Sequence, residues 1–155
     1  MRVLPVLATI LVAGCTTFRP APSQTVFASL AALCGKAFEG RIVSPPAVAD
    51  AGFGGKRLVI HVRECTSDGI RIPFHVGEDR SRTWIVTRTA AGHRLKHDHR
   101  HEDGGEDRVT NYGGDSIIPG TAVRESFPAD DFTRRLLVRE GNSAGAANVL
   151  SLIHI

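Results

Sequence analysis

This sequence predicts a mainly β domain of the α+β kind. The expected form is an antiparallel meander bending into a small barrel or half-barrel, with one short helix near each end. Three observations lead there. Short runs of strand-forming residues recur from Ala37 to Phe127. Tight turn signals rather than crossover helices separate them, which suits antiparallel neighbours. Several runs alternate apolar and polar residues with the period of a half-buried strand. At 155 residues the chain has room for one core and not for two. A strongly twisted meander of up to about eight strands tends to curl, because closure removes exposed edges. An open sheet with both helices on one face is the alternative.

The elements follow in order. Ser23 or Thr25 can cap a first helix whose apolar stripe is Val26, Phe27, Leu30, Ala31, Leu33 and Cys34, and Gly35 ends it. Ala37 to Ser44 reads as a strand, and Pro45-Pro46 through Gly54-Gly55 as a loop. Arg57 to Cys65 alternates, Asp68-Gly69 signals a hairpin, and Ile70, Ile72, Phe74 and Val76 line one face of the next strand. Pro73 cannot donate to a ladder, so that strand should be near an edge or bulged. Arg82 to Ala90, Arg108 to Tyr112 and Thr121 to Phe127 read as further strands, with Gly113-Gly114-Asp115 as a turn. Pro128 opens a second helix with Asp130 and Asp131 at its amino end. Phe132, Leu136 and Val138 are its expected inner face, and Gly141 ends it.

Between these strands lies the most informative stretch, Ala91 to Gly105. Alternate residues are His93, Leu95, His97, His99 and His101, interleaved with Arg94, Lys96, Asp98 and Arg100. On a strand these fall on opposite faces. The charged face belongs in water, which turns the histidines inward, with His99 expected to be the most enclosed. Histidines two apart on a strand sit roughly 6.5–7 Å apart at Cα, so two imidazoles can converge on one ion. Three cannot easily do so. His97, His99 and His101 are therefore the candidate metal ligands, two at a time, with zinc or copper as the fitting cofactors. Glu102, Asp103, Glu125, Asp107 or Tyr112 could supply a further donor from a neighbouring segment. The competing expectation is a histidine network that bonds within itself and stiffens the domain. His61 and His75 share faces with arginine and read as exposed bystanders.

Catalysis has little support. The HxHxH spacing is shared with histidine-triad nucleotide hydrolases, but Asp98 and Arg100 stand where those have apolar residues. Metallo-β-lactamase-like hydrolases need a different order and a longer chain. No GxSxG and no nucleophile with a paired base is found, so no catalytic residue is assigned. A net charge of +3, from 19 basic and 16 acidic residues mixed along the chain, gives no basic block for nucleic acid.

Met1-Arg2 followed by the apolar run Val3 to Val12 reads as an export signal, too short for a permanent membrane span. It ends in Leu11-Val12-Ala13-Gly14-Cys15, which resembles the lipobox of bacterial lipoproteins. The resemblance implies removal of residues 1–14, lipid attachment at Cys15, and a tether over 15–23 joining the membrane to a domain over 24–149. Thr16 after the cysteine leans toward the outer membrane, facing the periplasm. An ordinary secretory peptide is the alternative. Export leaves Cys34 and Cys65 as a pair in an oxidising compartment, where a disulfide is the default. The last residues, Leu150 to Ile155, resemble the translation of a sequencing-library adapter, so 150–155 is expected to be a scar. A genuine closing strand is the other reading, and His154 is set aside.

LKHDHRHEDGG, then NYGGD, then SFPADD resemble in their order an uncharacterised family of bacterial secreted proteins and lipoproteins. The likeness runs from Cys34 to Asn148 and implies no activity. The function expected is that of an envelope lipoprotein whose β domain binds a metal ion or small ligand at the histidine face. The alternative is a non-catalytic structural or interaction module of the envelope.

Overall fold

The computed structural model describes residues 25–43, 52–117 and 120–153. Residues 1–14, expected as a signal peptide, Cys15 and the expected tether over 15–23, Ser44, Pro45-Pro46 and His154 lie outside these residues. Helix α1 spans Val26–Ala31, with Thr25 as its N-cap, its hydroxyl accepting from the Ala28 amide. The strands are β1 (Ala37–Gly40), β2 (Leu58–His61), β3 (Glu64–Cys65), β4 (Gly69–Val76), β5 (Asp79–Arg88), β6 (His93–His99), β7 (Tyr112–Asp115), β8 (Arg124–Pro128) and β9 (Val149–Ile153). Helix α2 spans Asp131–Arg139, and a 3-10 turn covers Gly145–Ala147. Among the described residues no helix is long and apolar enough to cross a membrane.

The fold is the expected antiparallel meander, and it is open. Strands run in the order β1-β2-β4-β5-β6-β7, β3 also pairs with β4, and β8-β9 form a separate ribbon. Pro73 needs no partner for its missing N–H. It faces Thr83 of β5 on one side, while on the other β2 pairs only from Phe74 onward and β3 only up to Arg71. A register shift follows between Phe74 and Val76. The predicted strand from Arg57 to Cys65 is thus two strands, split opposite the proline.

The inner face of the sheet carries Ile70, Ile72, Val86 and Leu95, which pack with Phe27 of α1 and Phe127 of β8 into one core. Full burial of each such side chain contributes about 1.5–3 kcal/mol. Trp84, Leu150 and Leu152 pack against this core from its margins. A disulfide between Cys34 and Cys65, Cα atoms 6.2 Å apart, fastens the end of α1 to β3. The predicted pairing is therefore present.

Two expectations are corrected around β7. The strand is Tyr112–Asp115, so Gly113-Gly114 lie inside it and Arg108 to Asn111 do not. The reason is steric. A Cβ on Gly113 would stand 1.9 Å from the Leu95 carbonyl oxygen, and one on Gly114 1.8 Å from that of Pro128. Glycine here serves close approach of β7 to β6 and to the end of β8. The Asp130 amide donates to the Gly113 carbonyl, and the Thr133 hydroxyl bridges the Gly113 amide and carbonyl. The YGG and FPAD motifs are thus the two halves of one joint.

The second correction concerns α2. Asp130 is its N-cap, its carboxylate accepting from the Thr133 amide, and Pro128 belongs to β8. The helix buries Thr133, Leu136 and Leu137, while Phe132 and Val138 are exposed. Thr133 turns inward because it serves the β7 joint, which rotates the buried stripe by one position from the purely apolar one.

Candidate functional site

Strand β6 sits between β5 and β7, and its register builds rows across the sheet. Trp84 and Tyr112 stand opposite His97, Val86 and Gly114 opposite Leu95, Arg88 opposite His93, and Arg82 opposite His99. Directly opposed residues share a face. The histidines therefore occupy three environments along one strand.

His93 lies at the α1 end. Its ring stacks on Phe27 with centroids 5.4 Å apart, and its Nδ1 sits 2.9 and 2.8 Å from the two carboxylate oxygens of Glu125. Exposures of 6% for His93 and 2% for Glu125 make this a sealed pair. Glu125, weighed as a metal donor, is consumed here.

His97 is 3% exposed and boxed by Trp84 at 4.7 Å and Tyr112 at 4.6 Å between ring centroids. Burial first, then the nearby His99 and Arg82, pushes its pKa down to about 4, so the imidazole is neutral at physiological pH. Its Nδ1 is buried with no hydrogen-bond partner among the described residues.

His99 and His101 sit at the open end, and here the chain doubles back. Gly104, in the left-handed region with φ 85°, allows the tight turn after His101, closed by the His101 amide donating to the Gly105 carbonyl. The Asp107 amide then donates to the His99 carbonyl, and the Asn111 amide to that of His97. The fold-back sets the Asp107 carboxylate between two imidazoles, Oδ1 3.7 Å from His99 Nδ1 and Oδ2 3.8 Å from His101 Nε2. Both separations exceed hydrogen-bond length. The Val109 amide donates to Asp107 Oδ1 at 2.7 Å. That bond, outweighing burial and aided by the two histidines, holds the carboxyl below the ordinary aspartate range. Side-chain exposures are 24% for His99, 60% for His101 and 26% for Asp107, so solvent reaches all three. Arg82, opposite His99, is tied up by Asp79. Among the described residues no three His, Cys, Asp or Glu side chains are already gathered at metal-holding distance.

Three expectations about this strand change. His97 and His93, not His99, are the most enclosed, because the β6 row nearest the core is flanked by Trp84 and Tyr112 while His99 meets the rim. The charged face is not all in water: Asp98 is buried, held by Arg71 at 3.3 Å and Arg100 at 2.9 Å. Lys96 is largely covered, its Nζ 2.5 Å from Asp130 and its ammonium over the Phe132 ring at 5.4 Å. Arg94 forms a two-point pair with Asp115. Glu102 and Asp103 are exposed in the turn, and neither hydrogen-bonds the histidines. His61 and His75 are half-buried rather than exposed, on β2 and β4, neither of which pairs with β6. The His93–Glu125 and Asp98–Arg71 pairings had no signal in spacing, since they join segments about thirty residues apart.

Against known proteins, the chain matches no family model, no curated protein and no solved structure.

Proposed function

We propose that this chain is a lipid-anchored protein of the bacterial cell envelope whose β domain binds one divalent transition-metal ion at the open end of β6. His99, His101 and Asp107 are the ligands, and no catalytic residue is assigned. The observation that carries the reading is the Asp107 carboxylate between two imidazole nitrogens at 3.7 and 3.8 Å, with no hydrogen bond to either. Tetrahedral ligands at about 2.0 Å from zinc stand roughly 3.3 Å from one another, so the two histidine–carboxylate edges would each close by about half an ångström around an ion. His101 is exposed enough to make that movement. His97, neutral and enclosed, supports the ring of His99 at a centroid distance of 5.8 Å and is not itself a ligand. The envelope address rests on Val12-Ala13-Gly14-Cys15, and a lipid-borne anchor at Cys15 would be stable with two or more chains.

A structural reading has its own support. His93 is satisfied by Glu125, Asp98 by two arginines, and His97 is packed among aromatics, as a stiffening network requires. One experiment separates them. Untagged protein with Cys15→Ser is titrated with Zn²⁺ and with Cu²⁺ by calorimetry at neutral pH. The expected result is saturable binding near one equivalent, lost in Asp107→Ala and His99→Ala and kept in His75→Ala. Affinity should weaken on acidification, as protons compete for the imidazoles. Absence of saturable binding overturns the metal site and leaves the structural module. Separately, Cys15→Ala should release the full chain from membranes, and unchanged membrane partitioning overturns the anchor.

A further inference from the structure

The β7 joint that closes the sheet against the β8-β9 ribbon does not fill the space beneath it. A cavity of about 240 Å³ lies there, between β7, α2, the 3-10 turn and the ribbon. Its apolar wall includes Val109, Phe127, Leu137 and Leu150; Tyr112, Asn142, Asn148 and Thr133 are its polar residues, the Thr133 hydroxyl already bonded to Gly113, and no charged side chain lines it. Close-packed proteins leave few such spaces, and this one is open to solvent, with Asn142 and Asn148 of its lining exposed. This one persists because Gly113, Ala129 and Gly145, three lining positions, offer almost no side-chain volume.

We infer that this cavity is a binding site for a small neutral molecule with a one- or two-ring apolar body and a single hydrogen-bonding group, of the phenol or indole class. Volume sets the size: about 150 Å³ of apolar cavity accommodates benzene, and drug-sized ligands need about 300 Å³ or more. The uncharged lining sets the neutrality, since an ion entering would be desolvated without a counter-charge. Tyr112 sets the polar end. Its ring packs on His97 with centroids 4.6 Å apart, and its hydroxyl has no hydrogen-bond partner among the described residues. Burial raises its pKa, so the hydroxyl stays protonated and able to donate at neutral pH. Asn142 uses its side-chain oxygen to accept from the Gly145 amide, which leaves its amide hydrogens for a ligand. The site adjoins the His99–Asp107–His101 cluster through Val109, whose amide donates to Asp107, but its lining holds no His, Cys, Asp or Glu and so no metal ligand. All of its lining except Leu150 precedes Val149.

The protein's single tryptophan makes the test direct, because Trp84 meets the edge of the Tyr112 ring at 6.1 Å. 2-Naphthol, a two-ring phenol absorbing where tryptophan emits, is titrated into the full chain in the presence of a chelator. Trp84 emission should transfer to the probe and saturate at one equivalent. Val109→Phe, which narrows the mouth, should weaken binding at least tenfold. Tyr112→Phe should weaken 2-naphthol about fivefold and leave unsubstituted naphthalene unchanged. Should Val109→Phe fail to fold, Asn148→Phe narrows the same mouth from an exposed position. No saturable transfer up to the solubility of the probe overturns the inference. So does undiminished affinity in a folded mouth variant, or loss of binding in Ile60→Ser, on the distant exposed face of β2.

Discussion

Replacing His93 by alanine should expose how much of the fold depends on one buried polar pair. Glu125 is 2% exposed, and both of its carboxylate oxygens face His93 Nδ1, at 2.9 and 2.8 Å. No other hydrogen bond to this carboxylate is found among the described residues. His93→Ala therefore strands a carboxyl group in the interior and also removes the ring stacked on Phe27. Removing one partner of such a pair costs about 3–5 kcal/mol. At about 3 °C per kcal/mol for a domain of this size, the melting temperature should fall by roughly 9–15 °C. Glu125→Leu alone leaves the imidazole without its partner and should cost a similar amount. The double variant His93→Phe with Glu125→Leu keeps the stack on Phe27 and removes both polar groups. It should recover most of the loss, because burying two apolar groups in place of a satisfied pair is close to neutral. Chemical denaturation of wild type, both single variants and the double variant closes the cycle. Additive losses, or a cost below about 1 kcal/mol for His93→Ala, would refute the reasoning.

Gly114→Ala should destabilise by about 3 kcal/mol or more, because its Cβ would meet the Pro128 carbonyl oxygen at 1.8 Å and backbone must move; thermal melts check it. Reduction of Cys34–Cys65, or the double serine variant, should lower stability by about 3–4 kcal/mol for a loop of about thirty residues, read from urea midpoints with and without reductant. Burial alone would raise the Asp130 pKa, but hydrogen bonds from Lys96 and from Thr133 outweigh it and hold it below the ordinary value. A depressed carboxylate stabilises above its unfolded pKa and loses that contribution as pH falls through the folded one. Stability should accordingly decline below about pH 4, and Asp130→Asn, which keeps an N-cap side chain, should flatten part of that decline in urea midpoints from pH 3 to 6. Should residues 150–155 be an adapter scar, a long-read genome will show different codons after Val149; identical codons refute it.

Local patterning carried much of this protein. Thr25 caps α1 and Asp130 caps α2 because a short oxygen-bearing side chain before an apolar stripe satisfies free amides wherever it occurs. Period-two alternation set the inner faces of β4 and β6, and the cysteine pair followed from the even count left once Cys15 is assigned to the expected lipobox. The antiparallel meander was legible for the same reason, since most of its strands pair with neighbours in sequence, whereas its remaining open was not. Tertiary structure alone decided the rest. Gly113-Gly114 looked like a turn because glycine usually serves one, and only the approach of the Leu95 and Pro128 carbonyls shows it serving a strand. Asp98 looked solvated on a charged face until Arg71 arrived from β4. The histidine row read as one surface, yet Glu125 sealed its first member, Trp84 and Tyr112 enclosed its third, and the fold-back at Gly104 brought Asp107 to the last two. Periodicity reports which face a side chain is on, whereas its environment depends on partners brought in by distant segments, and no local pattern encodes those.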